Sequence, residues 1–238
     1  MSFLTESLRV LPWVLLDTAM IPGGGGELRL MRRGGDFSIM QGRIELMNSR
    51  LSGSEEALAH LTCRKIAGRS HPHILIGGLG MGFTLRAALA ELGPQARVVV
   101  AELVPAVVDW ARGPMAAIFG GCLDDPRVGL HLGDARPLIG AAPQAYDAVL
   151  LDVDNGPEAL TRPANDALYD ASGLAGAFAA LRPGGVLAVW SAGPSPAFAQ
   201  RLRRTGFAVE EVQTRARGKS GGARHVIWLA TRPVTARR

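Results

Sequence analysis

Cysteine is nearly absent from this 238-residue chain: Cys63 and Cys122 are the only two, and their separation matches no metal-binding or redox motif. A disulfide framework is therefore excluded, and both thiols are expected to be buried. No apolar run approaches the ~20 residues needed to cross a bilayer. The early stretch VLPWVLLDTAMI lacks a basic leader and a small-residue cleavage site, so the expected location is the cytoplasm, without a membrane partner. Histidine is scarce too, and the pair His71 and His73 in "HPH" reads as a loop leading into a strand, so no metal is predicted. Aromatic residues make up 5% of the chain, and none interleave with the basic stretch TRARGKSGGARH.

The charge that is present is unevenly placed. Of a formal net charge of +5, ten basic and two acidic residues lie from Arg201 onward, which leaves the first 200 residues slightly acidic. A basic tail attracts anions in general. Without stacking residues among the arginines it reads as a solvated hairpin tip, and nucleic acid is not an expected partner.

Hydrophobic residues form 47% of the chain, enough for one substantial core or a core with a small appendage. Residues 1–70 and 71–238 differ in grammar. In the first part, after the PGGGG loop, ELRLMRR, DFSIMQ and RIELMN alternate apolar and polar residues between short turns, which predicts an antiparallel meander. SGSEEALAHLTCRKIAG follows as a helix, with Ser52 or Ser54 as its cap and Glu55 and Glu56 at its positive end.

From His73 the pattern becomes alternating strands and helices. HILIG, RVVVAEL, VGLHLGD, YDAVLLDVD and GVLAVWSA read as strands. FTLRAALAEL, VPAVVDWARGPM (interrupted by Pro114) and SGLAGAFAAL read as helices between them. This predicts an α/β fold with a doubly wound, Rossmann-like, mostly parallel sheet. PAFAQRLRRTG then adds a helix, and FAVEEVQTR with RHVIWLATR adds an antiparallel C-terminal hairpin.

Three strand ends point to a ligand. Gly78, Gly80 and Gly82 form GxGxG between the first strand and first helix, where glycines let backbone N–H groups approach a bound molecule. Glu102 ends the second strand, placed to accept both hydroxyls of a ribose. Asp134 ends the third, within reach of an adenine amine. No Lys-Ser or Lys-Thr follows the glycines, which excludes a P-loop. A dinucleotide stays open, but Phe83 stands where GxGxxG requires glycine, and an adenosyl sulfonium such as S-adenosylmethionine fits better.

HILIGGLGMGFTLRAAL, VVVAELVPAVVDWAR, DPRVGLHLGDA, YDAVLLDVD, ALYDASGL and LRPGGVLAVWS occur in the order and spacing of the spermidine synthase family, a branch of the class I methyltransferase-like fold. The upstream GRIELMNSRLSGSEEALAHL is similar to that family's N-terminal β-unit and following helix. The resemblance implies that Glu102 holds the ribose, Asp134 the adenine amine, and the Gly78–Gly82 loop with Met81 the methionine-like portion. Leu103 and Ala135, which follow the two acids, and Asp152 complete the candidate cofactor-binding set. The resemblance also implies a homodimer.

Several positions depart from the family pattern. Met81 stands where the glycine loop carries an aspartate. The catalytic Asp-Ser-Ser-Asp-Pro is DVDNGP, with Asp152 on the first acid, Asn155 on the second and Asp154 beside it. Ser54 and Glu55 replace a Tyr and a Gln that help bind substrate. Asp152, Asp154 and Asn155 are the candidate catalytic residues, and Asp152 and Asp154 share a face if the strand continues through them. Loss of two acids that would grip a diamine predicts methyl transfer from S-adenosylmethionine to an unidentified small molecule. Aminopropyl transfer from decarboxylated S-adenosylmethionine is the alternative, and a non-catalytic adenosyl-binding partner protein is the third.

Overall fold

The computed structural model describes residues 11–141, 143–153, 167–218 and 221–234. Its first part is an antiparallel sheet in sequence order, β1 (Val14–Met20), β2 (Glu27–Arg33), β3 (Asp36–Gln41) and β4 (Ile44–Asn48). The last three match the predicted meander. Strand β1 was not expected, because its VLLDTAM lacks alternation: among the described residues it is an edge strand paired only with β2, and it leaves Val14, Leu15, Leu16 and Met20 exposed. It is tied down by Trp110, whose Nε1 donates to Asp17 Oδ2 over 2.7 Å.

Helix α1 (Gly53–Lys65) leads into the large sheet. Ser52 occupies its N-cap position without a side-chain cap bond, and Ser54 is buried and bonded elsewhere, so neither serine caps as predicted. The elements that follow are β5 (His73–Gly77), α2 (Phe83–Glu91), β6 (Arg97–Glu102), α3 (Pro105–Arg112), α4 (Ala116–Phe119), β7 (Val128–Leu132), α5 (Ala135–Gly140) and β8 (Tyr146–Leu151). Then come α6 (Ala171–Ala180), β9 (Leu181–Ser191), α7 (Pro196–Thr205), β10 (Ala208–Arg215) and β11 (Arg224–Thr231).

The seven strands run in the order β10-β11-β9-β8-β5-β6-β7. Strands β5 to β9 pair in parallel, while β11 joins β9 and β10 in antiparallel fashion. The predicted architecture, including the C-terminal hairpin, is observed. Period-two alternation sorts the core into two layers. Ile74, Ile76, Val98, Val100, Ala148, Leu150, Ile227 and Leu229 face one layer with α1, α2 and α3. Leu75, Val149, Leu151, Leu187, Val189 and Trp228 face the other with α5, α6 and α7. Leu28, Leu30, Phe37 and Ile39 of the small sheet belong to the first layer, so one apolar cluster joins both sheets. Cys63 and Cys122 are buried free thiols, as the composition predicted. No described helix is long and apolar enough to cross a membrane.

Two strand limits differ from expectation for local reasons. β9 starts at Leu181 instead of after RPGG, because Gly184 N donates to Arg232 O and Arg232 N to Gly185 O, 2.8 Å each, absorbing the turn residues into the strand. β8 stops at Leu151. Asp152 N still bonds Gly77 O over 3.0 Å, and the chain then leaves the sheet beneath the glycine loop.

Candidate active site

All parallel strands end on one edge, and β5 is the switch point where the chain turns to opposite sides of the sheet; ligands bind outside such edges. A cleft opens there. Its floor comes from Gly78, Gly80 and Met81 after β5, Glu102 and Leu103 at β6, Asp134 and Ala135 after β7, and Asp152 after β8. Its roof comes from the small sheet through Leu28, Ile39, Leu46 and Met47. The structure thus brings every described cofactor candidate except Gly82 to one cavity. Gly82 turns away as the N-cap of α2, at φ +77°, against the Phe119 ring.

The glycines clear space for protein as well as for ligand. At φ +92° a Cβ on Gly78 would meet the Asp152 carbonyl oxygen at 2.5 Å, so glycine here lets β8 deliver Asp152 to the cleft. A Cβ on Gly80 would meet Met47 Cε at 2.9 Å, which makes the loop the floor on which the roof rests.

Glu102 is 7% exposed. Its Oε2 accepts from Leu79 N at 3.0 Å and its Oε1 from Val104 N at 2.8 Å, which fixes the carboxylate plane and leaves each oxygen a second lone pair for a hydroxyl. Burial pushes this carboxyl above its usual range against those backbone bonds. Asp134 caps α5: Oδ1 accepts from Arg136 N and Oδ2 lies on Arg136 Nε, both at 2.9 Å. Its cleft-facing carboxylate is therefore already oriented by the chain.

At the other end of the cleft, Asp152 Oδ2 accepts from Thr84 Oγ1 at 2.7 Å. Burial, and then the charge of Glu55, push the Asp152 carboxyl up to about 7 against the Thr84 bond. Glu55, on α1, also lines the cleft and is itself raised, chiefly by burial, although Ser54 Oγ donates to its Oε2 at 2.6 Å. His225 Nδ1 lies 2.9 Å from the same Ser54 oxygen. Since Ser54 gives its single hydrogen to Glu55 Oε2, His225 must donate from Nδ1. Burial lowers the His225 pKa and keeps the ring neutral. Trp190, another cleft residue, packs its edge against His225 at 4.7 Å between centroids.

Four carboxylates therefore line the cleft among the described residues, Glu55, Glu102, Asp134 and Asp152, and no Lys or Arg lines it with them; the arginine beside Asp134, Arg136, is already paired with that carboxylate. Asp154 and Asn155, the other catalytic candidates, lie outside the described residues. The strand ends before Asp152, so the shared face expected for Asp152 and Asp154 does not come from β8. Of the two histidines in HPH, His71 Nδ1 bonds Ser70 Oγ and His73 Nδ1 contacts Ala145 O. The sequence reads Glu55 as a charge at the positive end of α1 and as a departure from the family pattern, and misses its place at the cleft. It missed the roof and Trp190 too. An acid in an otherwise half-buried first turn was the available signal for Glu55.

Residues 52–200 match the spermine/spermidine synthase domain. The chain is 34% identical over 143 residues to polyamine aminopropyltransferase 2 of Pseudomonas aeruginosa, covering 57% of this chain and 39% of that protein. It is 38% identical over 111 residues to the polyamine aminopropyltransferase of Nitrosomonas europaea, covering 44% and 32%. A third relative, from Mycobacterium tuberculosis, is 36% identical over 124 residues, covering 51% and 23%. The matched stretch thus spans well under half the length of these relatives. The crystal structure of spermidine synthase from Thermotoga maritima superposes with a TM-score of 0.72 at 16% identity, over 92% of this chain and 73% of that one, and shows the shared fold. These findings overturn the methyl-transfer expectation, which rested on two missing acids. The relatives are aminopropyltransferases, and the cleft has an acid at Glu55 that the expectation left uncounted.

Proposed function

Because the chain belongs to the spermine/spermidine synthase family, we propose that it moves an aminopropyl group from decarboxylated S-adenosylmethionine to the nitrogen of a small amine. The observation that carries this reading is the charge of the cleft: four carboxylates and, among the described residues, no lining cation, Arg136 at Asp134 being already paired with that carboxylate. A donor that kept its methionine carboxylate would bring a fifth negative group to a site whose described lining offers no cation to pair it. The decarboxylated donor carries only positive charge there, on its sulfonium and its terminal amine. The acceptor is cationic as well.

On this reading Glu102 takes the ribose hydroxyls and Asp134 the base, with Leu103, Val104, Val107, Ala135 and Leu168 supplying apolar contact around them. The glycine loop passes under the donor's sulfur. Displacement at a carbon on a sulfonium needs little acid–base machinery, and alignment of the nucleophile in a site shielded from water supplies most of the rate. The roof residues Leu46 and Met47 shield that volume. The attacking nitrogen must be neutral, and Asp152, raised to about 7, is matched to taking its proton near neutral pH.

Purified protein incubated with decarboxylated S-adenosylmethionine and a panel of amines is expected to release methylthioadenosine together with an aminopropylated amine, both followed by chromatography. Absence of methylthioadenosine across the panel sinks the reading.

A further inference from the structure

We propose that Glu55 is the second carboxylate of the acceptor end: with Asp152 it holds the incoming amine as an ammonium, and its position, set by Ser54 and His225, makes the site select cationic acceptors. This rests on the aminopropyl-transfer reading above. The family's glycine-loop aspartate is Met81 here, a side chain 2% exposed and without charge. Glu55 stands where the family carries an amide, so one negative charge is lost from the loop and another is gained on α1.

The groups facing the pair explain why it suits a ligand. Thr84 approaches from α2 and neutral His225 from β11 through Ser54. Glu56 neighbours Glu55 on α1 and adds to its repulsion. Glu102 and Asp134 lie along the same cleft. All of these are neutral or negative. Two neighbouring carboxylates without a counter-charge repel each other when both are ionised, and an arriving ammonium relieves that repulsion. Ser54, 1% exposed, cannot swing away to water, so Glu55 is held toward the cleft by a hydroxyl that His225 orients.

The step balances as follows. The bound ammonium gives one proton to Asp152, and its freed lone pair forms a C–N bond to the propyl carbon attached to sulfur. The C–S bond breaks with its electron pair kept by sulfur, which becomes the neutral thioether. The new secondary amine carries the positive charge that the sulfonium lost, and Asp152 passes its proton to solvent. Glu55 stays ionised throughout.

The test is Glu55→Gln, which keeps an oxygen for the Ser54 hydroxyl, compared with Glu55→Asp, which keeps the charge. With 1,4-diaminobutane as probe, Glu55→Gln is expected to raise the acceptor KM about 10-fold, with kcat at saturation changed by less than about 3-fold. Removing the negative neighbour also lets the Asp152 pKa fall, so the acid limb of kcat/KM moves to lower pH. Glu55→Asp is expected to keep the wild-type acid limb and most of the affinity. A purely structural residue would lower thermal stability without moving that limb. Unchanged KM and acid limb in Glu55→Gln overturn the proposal. Carboxyl NMR of Asp152 gives an activity-free readout: equal titration midpoints in wild type and Glu55→Gln also overturn it. Failure of the wild type to transfer to any amine sinks the parent reading instead, which keeps the two failures distinct.

Discussion

Strand β8 has an aspartate at each end, Asp147 within it and Asp152 one residue beyond it, and the two are treated in opposite ways. At the amino end Asp147, 0% exposed, has Arg69 Nη1 at 2.8 Å, Arg182 Nη1 at 2.6 Å and the His73 N–H at 2.8 Å. At the carboxyl end Asp152 has one neutral hydroxyl, from Thr84, and a negative neighbour, Glu55. The same residue type at the two ends of one strand is neutralised by the chain at one edge and left to a ligand at the other. A buried acid that the fold has paired is a staple between elements; one that the fold has left unpaired marks where a cation is missing.

The largest effect expected from this contrast is at Asp152. Asp152→Asn is expected to lower transfer about 1,000-fold, the size of a lost proton acceptor. It should also stabilise the protein. The folded pKa, about 7, lies above the ordinary 3.8, so between those values the native state holds more protons than the unfolded chain. Stability attached to this group is therefore full below about pH 4, falls as pH rises toward 7, and stays low above it. Asp152→Asn removes that fall. After discounting for partial exposure, it should gain about 2 kcal/mol at pH 8 and nearly nothing at pH 4 in urea denaturation. A loss of stability at pH 8 would put Asp152 in the same class as Asp147. Asp147→Asn should do the reverse: a loss of about 3 kcal/mol, because Arg69 and Arg182 lose their acceptor, with kcat unchanged for the folded fraction.

The contrast was half legible in the sequence. Asp152 could be found because it ends an apolar run and because DVDNGP sits where the resembled family keeps its catalytic acids. The arginine partners of Asp147 lie 78 residues before it, on the connection between α1 and β5, and 35 residues after it, at the second position of β9, so nothing local announced the staple. Glu55 was misread for the same reason. In sequence it looked like a helix-dipole residue in the first turn of α1, and only the packing of α1 beside Thr84 and Asp152 turns it toward the cleft. Strand β1 escaped notice because an exposed edge strand needs no alternation. By contrast β5, β6, β8 and β9 were legible because strands buried on both faces read as continuous apolar runs.

Gly78 sharpens the comparison from the backbone side. Its φ of +92° and the 2.5 Å approach of the Asp152 carbonyl to a Cβ built there leave no room for alanine. Gly78→Ala is expected to cost about 2 kcal/mol. It should also lower kcat, because relief of the clash pushes Asp152 away from the amine. A stability loss with unchanged kcat would mean that the position of Asp152 is not what the glycine protects.

Asp134 is the intermediate case, since it faces the cleft like Asp152 yet is paired by its own chain like Asp147. The partner, Arg136, is two residues away, and both side chains are substantially exposed, at 44% for Arg136 and 35% for Asp134. Such a pair is worth less than about 0.5 kcal/mol. Arg136→Ala should therefore leave stability almost unchanged, because the cap from Asp134 to the residue 136 N–H does not need the guanidinium. If Asp134 serves the ligand, freeing its Oδ2 should tighten methylthioadenosine binding by about 2-fold in calorimetry, since an acceptor no longer has to be shared. A weakening beyond about 5-fold would mean that the guanidinium itself meets the nucleoside. That result would take Asp134 out of the ligand-facing set and leave it as a helix cap at the rim.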